Sequence, residues 1–291
     1  MARIIGSPSR YIQGKGTLAE ITKYTERLGK KLLILVSKSG KKRVEEKINK
    51  AVEGTDTTVV WEIFNGECSK SEVNRIGENL KKEKCDIVVG IGGGKILDTA
   101  KAVAYYEDIA VVCVPTAAST DAPCSALSVL YTDDGQFDEY LWLPANPDII
   151  LLDTDIIVAA PVRLIVSGMG DALATYFETR ACMRSNTTSC MGGSVSKTAM
   201  ALSELCFKTL MEDGAKALLA VNAGACTPAV ENIVEANTYL SGIGFESGGI
   251  AAAHAIHNGL TCIEETHGMY HGEKVAFGVL SQLVLENVST E

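Results

Sequence analysis

Short apolar runs and longer amphipathic segments alternate along the first half of the chain. Continuous apolar runs at 31–37, 87–89 and 109–114 are typical of strands buried on both faces of a sheet. Polar segments with helical periodicity lie between these runs, as at 41–52 and 69–84. Strands that alternate with helices in this way predict βαβ units, and therefore a parallel sheet with helices on both faces.

The pattern changes near residue 160. Strand-like runs disappear after Pro161, and helical periods fill 162–184, 198–214, 215–241, 248–260 and 267–288. We therefore predict an α/β domain over residues 1–160 and an all-helical domain over residues 161–291. The last helical pattern continues to residue 291 without a glycine cap or a proline stop, so we expect the helical domain to be truncated at its C-terminus.

Composition and charge narrow the class of protein. Hydrophobic residues make up 46% of the chain and the net charge is −9, which fits a globular protein that binds neither nucleic acid nor anionic membrane surfaces. No apolar run is long enough to predict a membrane span. The nine cysteines include no C-x-x-C pair, which favours reduced thiols in a cytoplasmic protein over a zinc–cysteine site. We also expect a homo-oligomer.

A glycine-rich turn follows the strand at 87–90. Gly92, Gly93 and Gly94 precede Lys95, and a helical pattern begins at Ile96. Free N–H groups at a helix start attract anions, and glycine lets a phosphate approach the backbone closely. Ile96 stands where a nucleoside triphosphatase loop needs Ser or Thr, so a dinucleotide pyrophosphate is the better interpretation. A tight turn without any ligand is the alternative.

All four histidines lie within one short segment. His254 and His257 are spaced i,i+3, and His267 and His271 are spaced i,i+4, so each pair could share one helix face. This density favours a divalent-metal site over isolated core or surface histidines. The spacing alone does not decide which two histidines bind the metal.

Asp171 is the best candidate for a third ligand. Residues 167–170, Ser-Gly-Met-Gly, predict a loop that leads into a helix and places Asp171 in the first helical turn. An acidic residue near a helix N-terminus is also favourable without any metal. One carboxylate and two imidazoles leave a fourth coordination position open, which is typical of a catalytic zinc site.

Four motifs together resemble the metal-dependent alcohol dehydrogenases of the iron-containing superfamily. They are Gly92-Gly93-Gly94-Lys95-x-x-Asp98-x-x-Lys101, Pro115-Thr116-x-x-Ser119-Thr120-Asp121, Gly170-Asp171-Ala172-Leu173 and the segment 241–278 with His254 and His271. The resemblance covers essentially the whole chain. It implies an N-terminal Rossmann-like parallel-sheet domain followed by a helical domain, an arrangement similar to that of the dehydroquinate synthases.

The resemblance also implies a set of site residues. Asp171, His254 and His271 would hold the metal, Zn²⁺ or alternatively Fe²⁺, whereas His257 and His267 would lie nearby without binding it. Asp121 would hold a substrate hydroxyl. NAD would be bound by Gly92, Gly93, Gly94, Lys95, Asp98, Thr116, Ser119, Ser125, Leu127 and Tyr131.

The activity implied is oxidation of glycerol, or a related small vicinal diol, to dihydroxyacetone with NAD. Ser37 stands where the family usually has an aspartate for the adenine ribose, which weakens the argument against NADP. Two alternatives are a related enzyme that acts on acidic substrates, such as a dehydroquinate synthase or a glycerol-phosphate dehydrogenase, and a truncated, non-catalytic nucleotide-binding remnant.

Overall fold

The computed structural model describes residues 1–288, so the predicted helical end at 289–291 lies outside the described residues. The chain forms two compact units. The α/β unit comprises 8–117 and 122–157, and the helical unit comprises 1–7, 118–121 and the chain from 158 onward. None of the described helices has the length and apolarity required to span a membrane.

The α/β unit alternates strands and helices. Its elements are β1 (Arg10–Gly14), a 3₁₀ turn (Thr17–Glu20), α1 (Ile21–Thr25), β2 (Lys31–Val36), α2 (Lys38–Val52), β3 (Thr58–Ile63), α3 (Lys70–Glu83), β4 (Ile87–Gly92), α4 (Gly94–Glu107), β5 (Ala110–Pro115), β6 (Leu127–Tyr131), β7 (Phe137–Trp142), β8 (Ile149–Asp153) and α5 (Thr154–Val158).

Six strands form one parallel sheet in the order β1-β8-β5-β4-β2-β3. On one face, alternate strand residues such as Ile34 and Val89 pack against the 3₁₀ turn and α2. On the other face α4 lies so close to β4 that a Cβ on Gly90 would stand 2.8 Å from the Cβ of Ala100. The predicted parallel sheet with helices on both faces is therefore confirmed, and β6 and β7 form a separate antiparallel pair.

The helical unit contains no strand among its described residues that joins the six-stranded sheet. Its elements are α6 (Val162–Ser185), α7 (Lys197–Asn222), α8 (Pro228–Glu235), a π-helical turn (Ala236–Leu240), α9 (Ser241–Gly248), α10 (Ala252–Leu260), a 3₁₀ turn (Glu264–Thr266) and α11 (His271–Leu285). The predicted fold class, a parallel-sheet domain followed by a helical domain, is confirmed.

Several predicted helix boundaries in this unit are wrong. The helix predicted over 215–241 is interrupted between Asn222 and Pro228, and the one predicted from residue 267 begins at His271. We expected a break between Gly214 and Ala215, but α7 runs through both residues. A single glycine costs a helix only about 1 kcal/mol, and the buried residues Leu210 and Ala217 on either side offset that cost. The helix expected from residue 248 begins only at Ala252, because Gly249 has a positive φ of 91°, which is incompatible with a right-handed helix.

Candidate functional site

Asp171 lies inside α6, so the predicted loop at 167–170, with Asp171 in the first helical turn after it, is wrong. The glycines that suggested a loop are there for packing. A Cβ on Gly168 would stand 2.0 Å from the carbonyl oxygen of Ala118, and one on Gly170 would stand 2.5 Å from the carbonyl oxygen of Gly272. Both residues therefore let neighbouring backbone approach the helix closely while the helix continues through them.

The close approach at these glycines brings His271 to Asp171. A Cβ on Gly272 would stand 1.7 Å from the carbonyl oxygen of Ser167, so the first turn of α11 rests directly on α6. The backbone N–H of Gly272 donates to Ser167 Oγ at 3.2 Å. His271, the first residue of α11, consequently lies with Nε2 3.0 Å from Asp171 Oδ1.

The third side chain of the cluster comes from α10. A Cβ on Gly278 would stand 2.4 Å from the carbonyl oxygen of Ala253, so α10 and α11 pack backbone to backbone. His254 Nε2 lies 3.6 Å from Asp171 Oδ1. One ligand atom each from Asp171, His254 and His271 lies within 4.8 Å of the others. The structure thus brings together the three residues predicted to bind a metal.

The electrostatics of the cluster fit a shared cation. Asp171 is buried, and its Oδ1 makes no hydrogen bond with the described residues although two imidazole nitrogens face it. Burial by itself would raise the pKa of Asp171, but His271 and His254 outweigh it and hold the pKa below its usual range. Donors around a tetrahedral zinc ion lie roughly 3.3 Å apart, close to the 3.0 and 3.6 Å observed. The donor set therefore fits a divalent metal.

Asp121 lies beside this cluster. Its backbone N–H faces Asp171 Oδ2 at 3.4 Å, and Ser241 Oγ donates to its Oδ2 at 2.7 Å. Burial, reinforced by the negative charge of Asp171, raises the pKa of Asp121 to about 7. Asn237, in the π-helical turn, donates to the carbonyl oxygens of Ala118 and Ile165 at 2.9 and 3.1 Å and so fixes the segment that carries Asp121.

The two remaining histidines differ in position. The ring of His257 is buried, with its centroid 4.2 Å from that of His271, and burial lowers the pKa of His257 to about 4. His267 is exposed, and its Nε2 lies 3.1 Å from the carbonyl oxygen of Thr261. It precedes α11, so the prediction that His267 and His271 share a helix face is wrong. The Gly268 that follows His267 lies outside any helix, which interrupts the i,i+4 pattern.

The glycine turn joins β4 to α4 in the α/β unit. A Cβ on Gly92 would stand 2.5 Å from Cδ1 of Ile96, whereas a Cβ on Gly93 or Gly94 would meet nothing within 4 Å. Among the described residues, no side chain caps the helix at Gly93. The first N–H groups of α4 therefore border open space in which a phosphate could accept from them.

Other predicted cofactor residues surround this turn. Lys95 pairs with Glu67 at 2.6 Å and lies over the ring of Tyr131, with Nζ 5.3 Å from the centroid. The N–H of Thr116 donates to the carbonyl oxygen of Gly92 at 3.1 Å. Leu127 begins β6, the strand that ends at Tyr131.

Three predicted cofactor residues are less well placed for direct contact with NAD. Asp98 is buried, with Oδ1 2.9 Å from the ammonium of Lys101 and Oδ2 accepting from the N–H of Val129 at 3.2 Å. Ser125 is also buried and donates to the carbonyl oxygen of Ala122 at 3.1 Å. Ser119 belongs to the helical unit, whereas the other nine predicted cofactor residues belong to the α/β unit.

Ser37 lies at the carboxyl end of β2 and caps α2. Its Oγ accepts from the backbone N–H of Gly40 at 3.0 Å. Lys38 follows as the exposed first residue of the helix. The hydroxyl thus takes the capping role that an aspartate could also fill, while the carboxylate that would face an adenine ribose is missing.

Comparison with known proteins identifies the family. The model of the iron-containing alcohol dehydrogenases matches residues 8–154. A glycerol dehydrogenase of Escherichia coli O6:H1 is 51% identical over 291 residues, which are 100% of this chain and 79% of that protein. The chain belongs to the iron-containing alcohol dehydrogenase family. It is therefore an oxidoreductase, as the sequence predicted.

Two further relatives, both glycerol dehydrogenases, support this family assignment. A glycerol dehydrogenase of Pseudomonas putida is 53% identical over 289 residues, covering 99% of this chain and 79% of that protein. The crystal structure of glycerol dehydrogenase from Schizosaccharomyces pombe has a TM-score of 0.94 at 42% identity, over 98% of this chain and 73% of that chain. The family resemblance inferred from four motifs is confirmed.

Sequence reasoning missed the residues whose hydrogen bonds support the carboxylate–imidazole cluster and Asp121. Glu178 contacts His254, and Ser241 and Asn237 fix Asp121 and its segment. The sequence offers Ser241 only as the first residue of the 241–278 motif. Glu178 follows Asp171 by seven positions, two turns of one helix, and that spacing was the one available signal.

Proposed function

We propose that the chain oxidises glycerol, or a related small vicinal diol, to dihydroxyacetone with NAD. Residues 1–160 serve as the NAD-binding domain and residues 161–291 as the metal-binding domain. The convergence of Asp171, His254 and His271 within 4.8 Å, next to Asp121, is the observation that carries the proposal. The named activities of the two bacterial relatives support the choice of glycerol.

We propose Zn²⁺ as the metal, with Fe²⁺ as the alternative, held by Asp171, His254 and His271. One carboxylate and two imidazoles suit either ion, and three protein ligands leave room for substrate. A divalent cation bound there supplies Lewis-acid chemistry, which lowers the pKa of an alcohol and favours loss of hydride from its carbon. The buried Asp171 compensates part of the cation's charge.

Asp121 is proposed to hold a second hydroxyl of the substrate. Ser241 donates to Oδ2, and the other oxygen, Oδ1, would accept from the substrate hydroxyl. A buried group built to pair with a hydroxyl discriminates strongly against molecules that lack it. This arrangement favours polyols over simple alcohols.

For NAD, we propose that the backbone of Gly92, Gly93 and Gly94 cradles the pyrophosphate, with Lys95 adding positive charge. Thr116, Leu127 and Tyr131 would line the rest of the groove on the α/β unit. Asp98 and Ser125 are buried, so we propose that they support the structure of the groove without contacting NAD directly. Ser119 is kept as a cofactor residue from the family motif alone. A cytoplasmic location and a homo-oligomer stay predictions.

The decisive experiment is an absorbance assay for NADH formation. Chain reconstituted with Zn²⁺ should reduce NAD with glycerol and much more slowly with propan-1-ol, which has three carbons but no neighbouring hydroxyl. Replacing Asp121 with Ala should narrow that difference. Zn²⁺-loaded chain that binds NAD but forms no NADH with glycerol would contradict the proposal and favour the non-catalytic alternative. Turnover of an acidic substrate would instead favour the synthase-like or glycerol-phosphate alternative.

A further inference from the structure

Glu178 is a buried carboxylate that the reaction described above does not use. It lies on α6 two turns after Asp171, and its side chain has no exposed surface. Burying a carboxylate is costly unless hydrogen-bond donors replace the lost water. The identity of those donors therefore indicates what Glu178 does.

Three donors from one short segment satisfy this carboxylate. Oε1 accepts from the backbone N–H groups of Ala251 and His254, at 2.8 and 2.9 Å. Oε2 lies 2.6 Å from Nδ1 of His254. Ala251 is the N-cap of α10 and offers no side-chain acceptor, so Glu178 caps that helix from another one.

The contact with Nδ1 also determines where the ring carries its proton. An ionised carboxylate only accepts hydrogen bonds, so Nδ1 of His254 must be the protonated nitrogen. The opposite nitrogen, Nε2, is the one that faces Asp171 Oδ1. A metal ion needs a nitrogen lone pair, and in the neutral ring with its proton on Nδ1 that lone pair lies on Nε2.

We propose that Glu178 is a positioning residue that fixes the protonation form and the orientation of His254, so that Nε2 is presented to the metal. The backbone contacts and the ring contact come from the same carboxylate, so the ring is held rigidly relative to the start of α10. The inference rests on the proposed metal site, but not on glycerol as the substrate.

Glu178→Gln tests this role with almost no change in shape. If the amide oxygen stays on the two backbone N–H groups, the NH₂ group faces Nδ1 and can only donate. The ring must then move its proton to Nε2 and lose the lone pair needed for the metal. If the amide flips, its NH₂ group faces two backbone N–H donors instead.

The measurement is the Zn²⁺ dissociation constant, obtained by competition with a chromophoric chelator. Loss of such a supporting carboxylate typically weakens metal binding by roughly 10–100-fold, and we expect that range for Glu178→Gln. Melting of the metal-free protein is recorded in parallel, because a merely structural role would lower its Tm and leave the affinity of the folded protein unchanged.

Gln282→Ala provides a matched control. Gln282 Oε1 accepts from the N–H of Ala253 at 3.0 Å, so it holds the same helix start, whereas the backbone and ring N–H groups of His254 contact Glu178. We expect this variant to lower Tm with little change in Zn²⁺ affinity. An equal loss of affinity in both variants would show that Glu178 only stabilises α10, and would overturn the proposal.

A spectrum of the unmutated protein keeps the proposal testable even if the Gln variant does not fold. In Zn²⁺-loaded, ¹⁵N-histidine-labelled chain, His254 should show a metal-bound Nε2 and a strongly deshielded Nδ1 proton. Coordination through Nδ1, or absence of that proton, would overturn it. Chain that binds Zn²⁺ in this way but does not oxidise glycerol would leave the inference standing and remove the proposed function.

Discussion

The glycine turn and the carboxylate–imidazole cluster are two candidate binding sites built on opposite plans. The turn is made of consecutive residues, Gly92–Lys95, and offers mainly backbone N–H groups. The cluster gathers side chains from α6, α10 and α11, with Asp121 beside it. One site is therefore encoded locally, whereas the other exists only when three helices pack correctly.

This difference determines what each site tolerates. Space at the turn is open around Gly93 and Gly94, so bulk added there obstructs a ligand and not the fold. Space at the cluster is occupied by backbone, as the 1.7 Å approach at Gly272 shows. Added bulk there obstructs the fold itself, and the metal site with it. The following predictions test that contrast.

The largest effect is expected from His271→Ala. The change removes one of three proposed metal ligands while the α/β unit stays intact, so Zn²⁺ binding and NADH formation should fall to background. NAD binding, measured by fluorescence titration, should be largely retained. The matched control is His267→Ala, since His267 is exposed and its Nε2 lies against the backbone carbonyl of Thr261. Near-normal turnover by His271→Ala would remove this residue from the ligand set.

The helical unit also shows which features could not be predicted from the sequence, namely the helix boundaries near glycine residues. Strand–helix alternation in the α/β unit was predictable because its strands are buried on both faces and carry continuous apolar runs. In the helical unit Gly168, Gly170 and Gly214 suggested loops or breaks, yet all three lie within helices. A glycine that ends a helix and a glycine that lets a neighbouring helix approach look identical in the sequence. Only the packing in the folded protein distinguishes these two roles.

The same limit applies to the candidate site. Asp171, His254 and His271 were found by residue type and by the family motifs. Glu178 was not, because it is one of 36 acidic residues and its partners lie 73 and 76 positions away. Two of its three contacts are with backbone N–H groups, which leave no trace in side-chain patterns.

Gly272→Ala should have the next largest effect. A methyl group at this position meets the carbonyl of Ser167, so α11 must move away from α6. Such overpacking typically costs about 1–3 kcal/mol, and chemical denaturation should show a loss near the upper end. Zn²⁺ affinity should fall as well, because His271 moves with the helix. Unchanged stability would mean that the two helices need not approach so closely.

Gly93→Ala should produce the opposite pattern. Its φ of −91° suits alanine and the new methyl group meets nothing within 4 Å, so the free energy of unfolding should change little. The methyl group would nevertheless stand where the pyrophosphate is proposed to approach, and we expect the NAD dissociation constant to rise about tenfold, or 1.4 kcal/mol. Zn²⁺ binding should not respond. A fall in stability without a change in NAD affinity would reverse the contrast between the two sites.

The smallest effect is expected from Ser37→Asp, at the strand end next to the turn. Aspartate can keep the N-cap contact with Gly40, so stability should be nearly unchanged. Its charge would bind the adenine ribose of NAD and repel a 2′-phosphate, so the ratio of NAD-dependent to NADP-dependent kcat/KM should rise severalfold. Asn49→Asp is the matched control, because it adds the same charge at an exposed position of α2 about three turns further along the helix. An equal rise in both variants would indicate a general effect of charge, and no rise in either would place the ribose elsewhere.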